Sequence, residues 1–486
     1  MTITLEEIRK KLKQVWGYEN FRPPQEEIVS SLLSQKDALI IMPTGAGKSI
    51  CFQLPALLSN GLTLVVSPLI ALIENQVEEL KQRNQKADLL HSELPASQRY
   101  KVLESISKQQ LRLLYLSPET LLSSAVWEKI SHPHIGITSL ILDEAHCLVQ
   151  WGETFRPVYR RLAAVRPSLL NTKPPGTKIS VAAFTATADP STQNIIKDVL
   201  QLQQPDIYRL NPYRQNLQPT VKTVWTPKAR KQQLLKFLQL HPHQTGLIYV
   251  RTRKDSEELA QWLMNLGYDT ASYHGGLSGE ERRAIEKSWL HGKKSFVVCT
   301  CAFGMGINKA DVRWIVHFHA PYLLSEYVQE IGRAGRDGIV AEVLTFISEP
   351  TGFFDGEDQR RKLFFQQQIL QQYKKAQELI KKLPLQGEVK SVVKEFQHGA
   401  TALAILHSSG RLLWNDPFHY QILGKDIHQS RTYFNPAQQM VEYLRTKNCR
   451  WQFLLQSFGF NKDRENWRCG HCDNCRFKSG GFQGIS

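Results

Sequence analysis

Met42, Pro43, Thr44, Gly45, Ala46, Gly47, Lys48 and Ser49 form a run of small residues closed by a lysine and a hydroxyl, directly after an apolar stretch beginning at Ala38. A strand that passes through such a turn into a helix makes a phosphate cradle. The glycines let backbone N–H groups face a β-phosphate, Lys48 reaches the β/γ oxygens, and Ser49 is placed to hold Mg²⁺ at a positive helix N-terminus. The strict pattern has Gly where Met42 stands, so a second signature is required. It comes where the run 140–142 delivers Asp143, Glu144, Ala145 and His146 at its C-terminal end, the edge at which open α/β sheets bind ligands. Asp143 suits Mg²⁺, usually through water, while Glu144 can orient or deprotonate the water that attacks a γ-phosphate.

Further on, Gln329, Glu330, Ile331, Gly332, Arg333, Ala334, Gly335 and Arg336 set two arginines three positions apart. Such a pair can reach a γ-phosphate across a cleft, and an arginine finger is worth about 10³ to 10⁵ in rate. The eight cysteines are scattered until the end of the chain, where Cys449, Cys469, Cys472 and Cys475 gather in two overlapping C-x-x-C steps and one outlier. Four thiolates match a closed tetrahedral zinc site. His471 is the rival ligand, and the fourth thiolate is preferred to it. Binding of zinc would contribute about 10 to 16 kcal/mol of folding energy to a module with little core of its own. Cys51, Cys147, Cys299 and Cys301 sit in core-like runs and are expected to be inert.

The elements that must position these groups follow from apolar runs, each succeeded by a polar cluster and a helical pattern. Residues 38–42, 62–66, 111–116, 140–142 and 179–184 are expected strands of a first domain. Residues 247–250, 296–299, 314–318 and 343–347 are those of a second. Strands alternating with helices imply parallel sheets covered on both faces, hence two α/β domains in tandem. A polar stretch with three prolines is read as the linker near residues 209–218. At 486 residues the chain exceeds a single core, and its 42% hydrophobic and 22% charged content excludes disorder and coiled coil. The net charge of +16 favours a polyanionic partner. No apolar run is long enough to span a membrane, and the N-terminus carries no export signal. A cytoplasmic, reducing setting is expected, which disfavours disulfides.

The residues resemble superfamily 2 helicases and, within them, the RecQ family of DNA helicases. The similarity runs through GYENFRPPQEEI, MPTGAGKS, VVSPLIALIENQ, YLSPE, LDEAHCLVQWGETFRPVY, FTATA, YHGGL, TCAFGMGINKADVRWIVHF and QEIGRAGRDG. It implies two RecA-like motor domains that hydrolyse ATP with Mg²⁺ and move 3′ to 5′ on DNA. Tyr18, Arg22 and Gln25 look like the adenine-recognition group. Lys48 and Ser49 look like ligands of phosphate and Mg²⁺, and Asp143 and Glu144 like the hydrolytic pair. Arg336 looks like the arginine finger, with Arg333 supporting it. Thr185 and Thr187 look like the element coupling the two cores. His146, Trp151, Phe155, Arg156 and Thr300 join them as residues assigned to DNA coupling. Pro24 and Asn308 depart from the commonest pattern without touching the hydrolytic set. The segment 150–159 resembles the family's aromatic-rich loop; stacking of Trp151 or Phe155 on an unpaired base would be worth about 1 to 3 kcal/mol. Loops 67–72 and 300–307 are expected to touch DNA phosphates.

The chain ends shortly after Cys475, so the downstream winged-helix and HRDC domains of longer relatives are expected to be absent. Before the zinc cysteines lies an unusual insert. Its order of helix, helix, Gly turn and strand, loop, strand resembles a winged helix; a helical spacer packed on the motor is the alternative. His407 and His419 there are expected to be structural. The expected domains are a first motor domain at 1–209, a second at 210–348, linker and insert at 349–441, and a zinc module at 442–486. The expected function is a RecQ-type, ATP-dependent DNA helicase acting on single-stranded and duplex DNA in recombination and repair. A translocase with weak unwinding and a non-catalytic DNA-binding scaffold are the alternatives, and an RNA helicase is the weakest rival.

Overall fold

The computed structural model describes residues 3–150, 156–303, 309–351, 353–426, 436–460 and 467–479. Trp151, Phe155, Asn308 and residues 304–307 of the second expected DNA loop lie outside the described residues. The chain forms two compact units, one of Met1–Met42, Ala46–Leu210 and Gln368–Thr432, the other of Pro43–Gly45, Asn211–Gln367 and Tyr433–Ser486. The segment expected as one insert at 349–441 is therefore divided between them.

In the first unit, strands β1 (Ala38–Ile41), β2 (Leu62–Val66), β3 (Ala87–Leu90), β4 (Leu113–Leu116), β5 (Ile137–Leu142), β6 (Ser180–Thr185) and β7 (Asp206–Arg209) make one sheet in the order β3-β4-β2-β5-β6-β1-β7. Every pairing is parallel. The alternation of side chains divides the strands between two cores. Leu39, Ile41, Leu64, Leu140, Leu142 and Val181 enter one, and Ala38, Ile40, Val65, Ile141, Ala182 and Phe184 the other. Ahead of the sheet, the helix Leu5–Trp16 starts on a Thr4–Glu7 capping box and stops at Gly17, whose φ of 76° suits glycine.

The second unit repeats the plan with β8 (Leu217–Val224), β9 (Gly246–Tyr249), β10 (Ser272–Tyr273), β11 (Phe296–Cys299), β12 (Trp314–His317) and β13 (Ala341–Ser348), ordered β10-β11-β9-β12-β13-β8 and again parallel. One face of this sheet is covered by Met440, Tyr443, Trp451 and Leu454 from the C-terminal segment, which share a core with Leu247, Val297 and Ile315. Trp451 Nε1 donates to the Leu217 carbonyl at 3.2 Å, and Asp473 accepts from the Val221 N–H at 2.9 Å. The zinc-module segment is thus an integral layer of this unit.

Two expectations need correction. The stretch read as a linker contains β7 and the start of β8, so the connection between the sheets is only residues 210–216. Both strands lie at sheet edges, where exposed positions carry polar side chains and no continuous apolar run develops. Cys301, expected in a core-like setting, is exposed, because β11 ends at Cys299 and the turn beyond it leaves the sheet.

The insert folds around its own core. The C-terminal part of the helix Glu357–Ile380 is followed by β14 (Gln386–Glu388), helices Val389–Glu395 and Gly399–Ser408, then β15 (Leu412–Trp414) and β16 (His419–Ile422). The three strands form an antiparallel sheet in the order β14-β16-β15. Ala376, Ile380, Val389, Leu403, Leu406, Tyr420 and Ile422 fill the space beneath it. This element order is that of a winged helix.

Candidate active site

The phosphate loop leaves the C-terminal end of β1 and enters the helix Lys48–Leu58. Gly45 and Gly47 hold φ values of 83° and 81°, a region that disfavours a side chain. Gly47 is doubly constrained, because a Cβ there would run into Gln25 Nε2. Gln25 is buried and donates to the carbonyls of Ala46 at 3.1 Å and Gly47 at 3.3 Å, while its Oε1 accepts from the Arg22 N–H at 3.0 Å. One side chain therefore fastens the segment carrying exposed Tyr18 and Arg22 to the phosphate loop. Met42 is fully buried at the end of the strand, and Pro43, Thr44 and Ser49 are partly buried.

Asp143 and Glu144 follow β5, which lies between β2 and β6. The Asp143 N–H donates to the Val66 carbonyl and the Ala145 N–H to that of Phe184, so the turn is stitched to both neighbouring strands. Glu144 is forced to a φ of 50°, an unfavourable setting for a side-chain-bearing residue and of the kind that clusters at functional sites. That twist places Glu144 Oε1 3.5 Å from Lys48 Nζ. Asp143 is only 4% exposed. Burial, reinforced by the neighbouring Glu144 and opposed by Lys48, pushes its carboxyl up to about 6. A buried carboxylate short of positive charge, with the Ser49 hydroxyl as a further hard oxygen donor, fits Mg²⁺.

A polar chain runs on from the acidic pair. His146 Nδ1 lies 3.4 Å from Glu144 Oε2 and 3.1 Å from Thr185 Oγ1, and Thr185 Oγ1 accepts from the Thr187 N–H at 3.1 Å. Burial lowers the His146 pKa, which favours the neutral ring. Arg156 Nη1 donates to the Pro68 carbonyl at 2.6 Å, tying the segment after residue 155 to loop 67–72.

In the second unit, Arg333 and Arg336 follow the helix Leu324–Ile331. Desolvation, then the charges of Arg333 and Arg214, draw Arg336 down to about 10. The charges of Arg333 and Arg214 thus bear on the Arg336 guanidinium. Arg214 donates to the carbonyls of Gly332, at 3.4 Å, and Gly335, bracing the turn between the two arginines. Behind them, buried Glu330 accepts from Arg251 Nη2 at 3.0 Å and lies 3.0 Å from His317 Nε2. Burial alone would raise Glu330, but Arg251 and His317 hold it below the usual carboxylate range. Thr300, at the end of β11, accepts through its carbonyl from Phe303 and through its hydroxyl from the Ala302 N–H at 3.4 Å, closing a turn. The sequence alone assigns no role to Arg214, Arg251, Glu330 or His317. Arg214 lies in the polar connection between the sheets, and the other three meet only because β9, β12 and the Leu324–Ile331 helix are adjacent.

The sulfurs of Cys449, Cys469, Cys472 and Cys475 all lie within 4.8 Å of one another. Cys469 and Cys475 are 3.9 Å apart, near the roughly 3.8 Å separation of thiolates 2.3 Å from a tetrahedral zinc. Backbone N–H groups of Cys469 and Cys472 point at Cys449 and Cys469 sulfurs at 3.3 and 3.2 Å. The donor set fits Zn²⁺. His471 instead turns to the Tyr213 hydroxyl, 3.1 Å away.

Three family models match the chain. The DEAD/DEAH box helicase family matches residues 22–195, the helicase conserved C-terminal domain residues 229–338, and the RecQ zinc-binding family residues 417–476. The chain is 47% identical over 475 residues to an ATP-dependent DNA helicase RecQ of Synechocystis, covering 96% of this chain and 98% of that one. It is 38% identical over 342 residues to an ATP-dependent DNA helicase RecQ of Haemophilus influenzae, covering 70% of this chain and 53% of that protein. The chain thus spans nearly all of the first relative and about half of the second. Among solved structures, Saccharomyces cerevisiae Dbp5 bound to RNA and ADP BeF3 superposes with a TM-score of 0.58 at 17% identity, over 74% of this chain and 93% of that one. Mycobacterium smegmatis helicase Lhr bound to ssDNA and AMP-PNP gives 0.57 at 17% identity, over 90% and 61%. These two share the fold. Among the described residues, no helix is long and apolar enough to cross a membrane.

Proposed function

The chain belongs to the RecQ family of ATP-dependent DNA helicases, and from that premise we propose that Lys48, Asp143 and Glu144 hydrolyse ATP to drive 3′ to 5′ travel along single-stranded DNA and separation of the duplex ahead. The observation that carries this reading is the approach of Lys48 to Glu144 at 3.5 Å, with buried Asp143 beside them on the C-terminal edge of the sheet. Lys48 binds the phosphates of ATP and pairs with Glu144. Glu144 takes the proton from the attacking water. Ser49 and Asp143 would hold Mg²⁺, which when bound neutralises the β- and γ-phosphate oxygens. Tyr18, Arg22 and Gln25 receive the adenine, and Arg333 and Arg336 meet the charge that develops on the γ-phosphate.

The path from Glu144 through His146 to Thr185 and Thr187 gives the hydrolytic pair a mechanical outlet, and Arg156 and Thr300 pass the change to DNA. The four cysteines would hold a structural Zn²⁺. The enzyme acts in the cytoplasm, in DNA recombination and repair. One observation favours the alternative of a translocase with weak unwinding: the loop 415–418, which would be the wing of the insert, is packed on Trp127. Strand displacement on duplexes with a 3′ or a 5′ tail separates the readings. The proposal expects displacement from the 3′-tailed duplex alone; ATP turnover without displacement on either would favour the translocase.

A further inference from the structure

The winged-helix insert is seated with its usual reading surface turned inward. A winged helix that reads DNA places the second helix of its helix-turn-helix in a groove, with polar side chains free to reach bases and phosphates. Here the corresponding helix, Gly399–Ser408, contains no lysine or arginine, and Thr401, Ala402, Leu403, Ala404, Ile405 and Leu406 are all buried. It packs on the segment Pro157–Ala164 of the first unit. The wing loop is engaged as well. Asp416 ties it by accepting from the N–H groups of Phe418 at 2.6 Å and His419 at 2.8 Å. The Phe418 ring meets Trp127 edge-on at 5.5 Å, and Arg161 Nε donates to the Pro417 carbonyl at 2.7 Å.

The segment so gripped begins beside Arg156, whose guanidinium bonds to Pro68 in loop 67–72. A continuous set of contacts therefore joins Phe418 and Pro417, through Arg161 and Pro157–Ala164, to Arg156 and loop 67–72. We propose that the insert is an internal brace that positions these DNA-coupling residues, with its helix Gly399–Ser408 serving as a docking element for its own motor unit and not as a reader of DNA. This rests on the helicase reading above. Phe418, Trp127 and Arg161 are positioning residues, since they act through Arg156 and loop 67–72.

The test uses the full chain and measures ATP turnover against the concentration of an oligothymidylate strand, for wild type, Phe418→Ala, Phe418→Tyr, Trp127→Ala and the Phe418→Ala/Trp127→Ala double variant. Turnover without DNA and KM for ATP are expected to stay at wild-type values in every variant. The DNA-stimulated kcat should fall about 2- to 10-fold in each alanine variant, the range set by one edge-to-face aromatic pair. Phe418→Tyr, which keeps the ring, should restore it, and the double variant should be no worse than the singles. Wild-type stimulation in both alanine variants overturns the brace, and so does an equal fractional loss with and without DNA. Should Phe418→Ala not fold, Trp127→Ala, altered on the motor side of the contact, carries the same test. A wild-type chain that shows no stimulation by DNA would instead defeat the helicase reading, so the two failures are distinct.

Discussion

The Lys48 ammonium lies 3.5 Å from the Glu144 carboxylate, and Glu144 holds a left-handed backbone conformation just after β5. The pair joins the first residue of the helix that follows β1 to a residue just beyond β5, two strands separated in the sheet by β6. The proposed phosphate-binding cation is thus already paired with the proposed catalytic carboxylate. Replacing Glu144 by Gln preserves shape and removes the base, so ATP turnover should fall about 10²- to 10⁴-fold while nucleotide and DNA binding remain measurable. Lys48→Ala should abolish turnover and weaken ATP binding. Steady-state hydrolysis and a fluorescent-nucleotide titration check both, and wild-type turnover in either variant contradicts the assignment.

Arg251 and Glu330 form a nearly dry ion pair behind Arg333. Removing one partner strands the other, at a typical cost of about 3 to 5 kcal/mol. Glu330→Ala should therefore lower the unfolding free energy by about that amount and reduce ATP turnover, because the turn bearing Arg333 and Arg336 loses its support. Urea denaturation reads the first effect. A midpoint equal to wild type would mean that the pair contributes nothing.

The zinc cysteines share a core with strands of the second sheet through Trp451, Leu454 and Cys472. Metal removal should thus unsettle the whole second unit as well as the C-terminal segment. We expect about one zinc per chain. Chelated protein, or Cys472→Ser, should show a lowered and broadened melting transition. Metal-free protein that melts as wild type would remove zinc from the account.

His407 in the insert is held down to about 4 by burial and by the charge of Arg160, against an ordinary value of 6.5. The unfolded chain binds a proton near 6.5 that the folded insert refuses until about 4. The stability this group contributes is complete above 6.5 and is lost as pH falls through about 4. His407→Gln should consequently be less acid-sensitive than wild type across that window, as seen in melting curves collected at a series of pH values. Parallel curves for the two proteins would refute the assignment.

What the sequence disclosed depended on solvent exposure. The interior strands β1, β2, β4, β5 and β6, with β9, β11, β12 and β13, are covered on both faces and were all visible as apolar runs. The strands at the edges, β3, β7, β8 and β10, show no apolar run because polar residues such as Asp88, Tyr208, Lys222 and Ser272 interrupt their patterns. The phosphate loop, the Asp143–Glu144 pair and the four cysteines were legible because their chemistry fixes residue type and spacing locally. Arg214 was not, since its role exists only when the chain folds back onto Gly332 and Gly335. The insert showed its order of elements but not its seat, which depends on Trp127 and Arg161 far away in the chain.

The most direct measurement of the central claim is strand displacement from a 3′-tailed duplex by the full chain with Mg²⁺, comparing ATP with a non-hydrolysable analogue and wild type with Glu144→Gln. The account expects free strand to accumulate only for wild type with ATP. Equal displacement by Glu144→Gln, or by wild type with the analogue, would contradict it, because strand separation would then not draw on hydrolysis at the Lys48–Glu144 site.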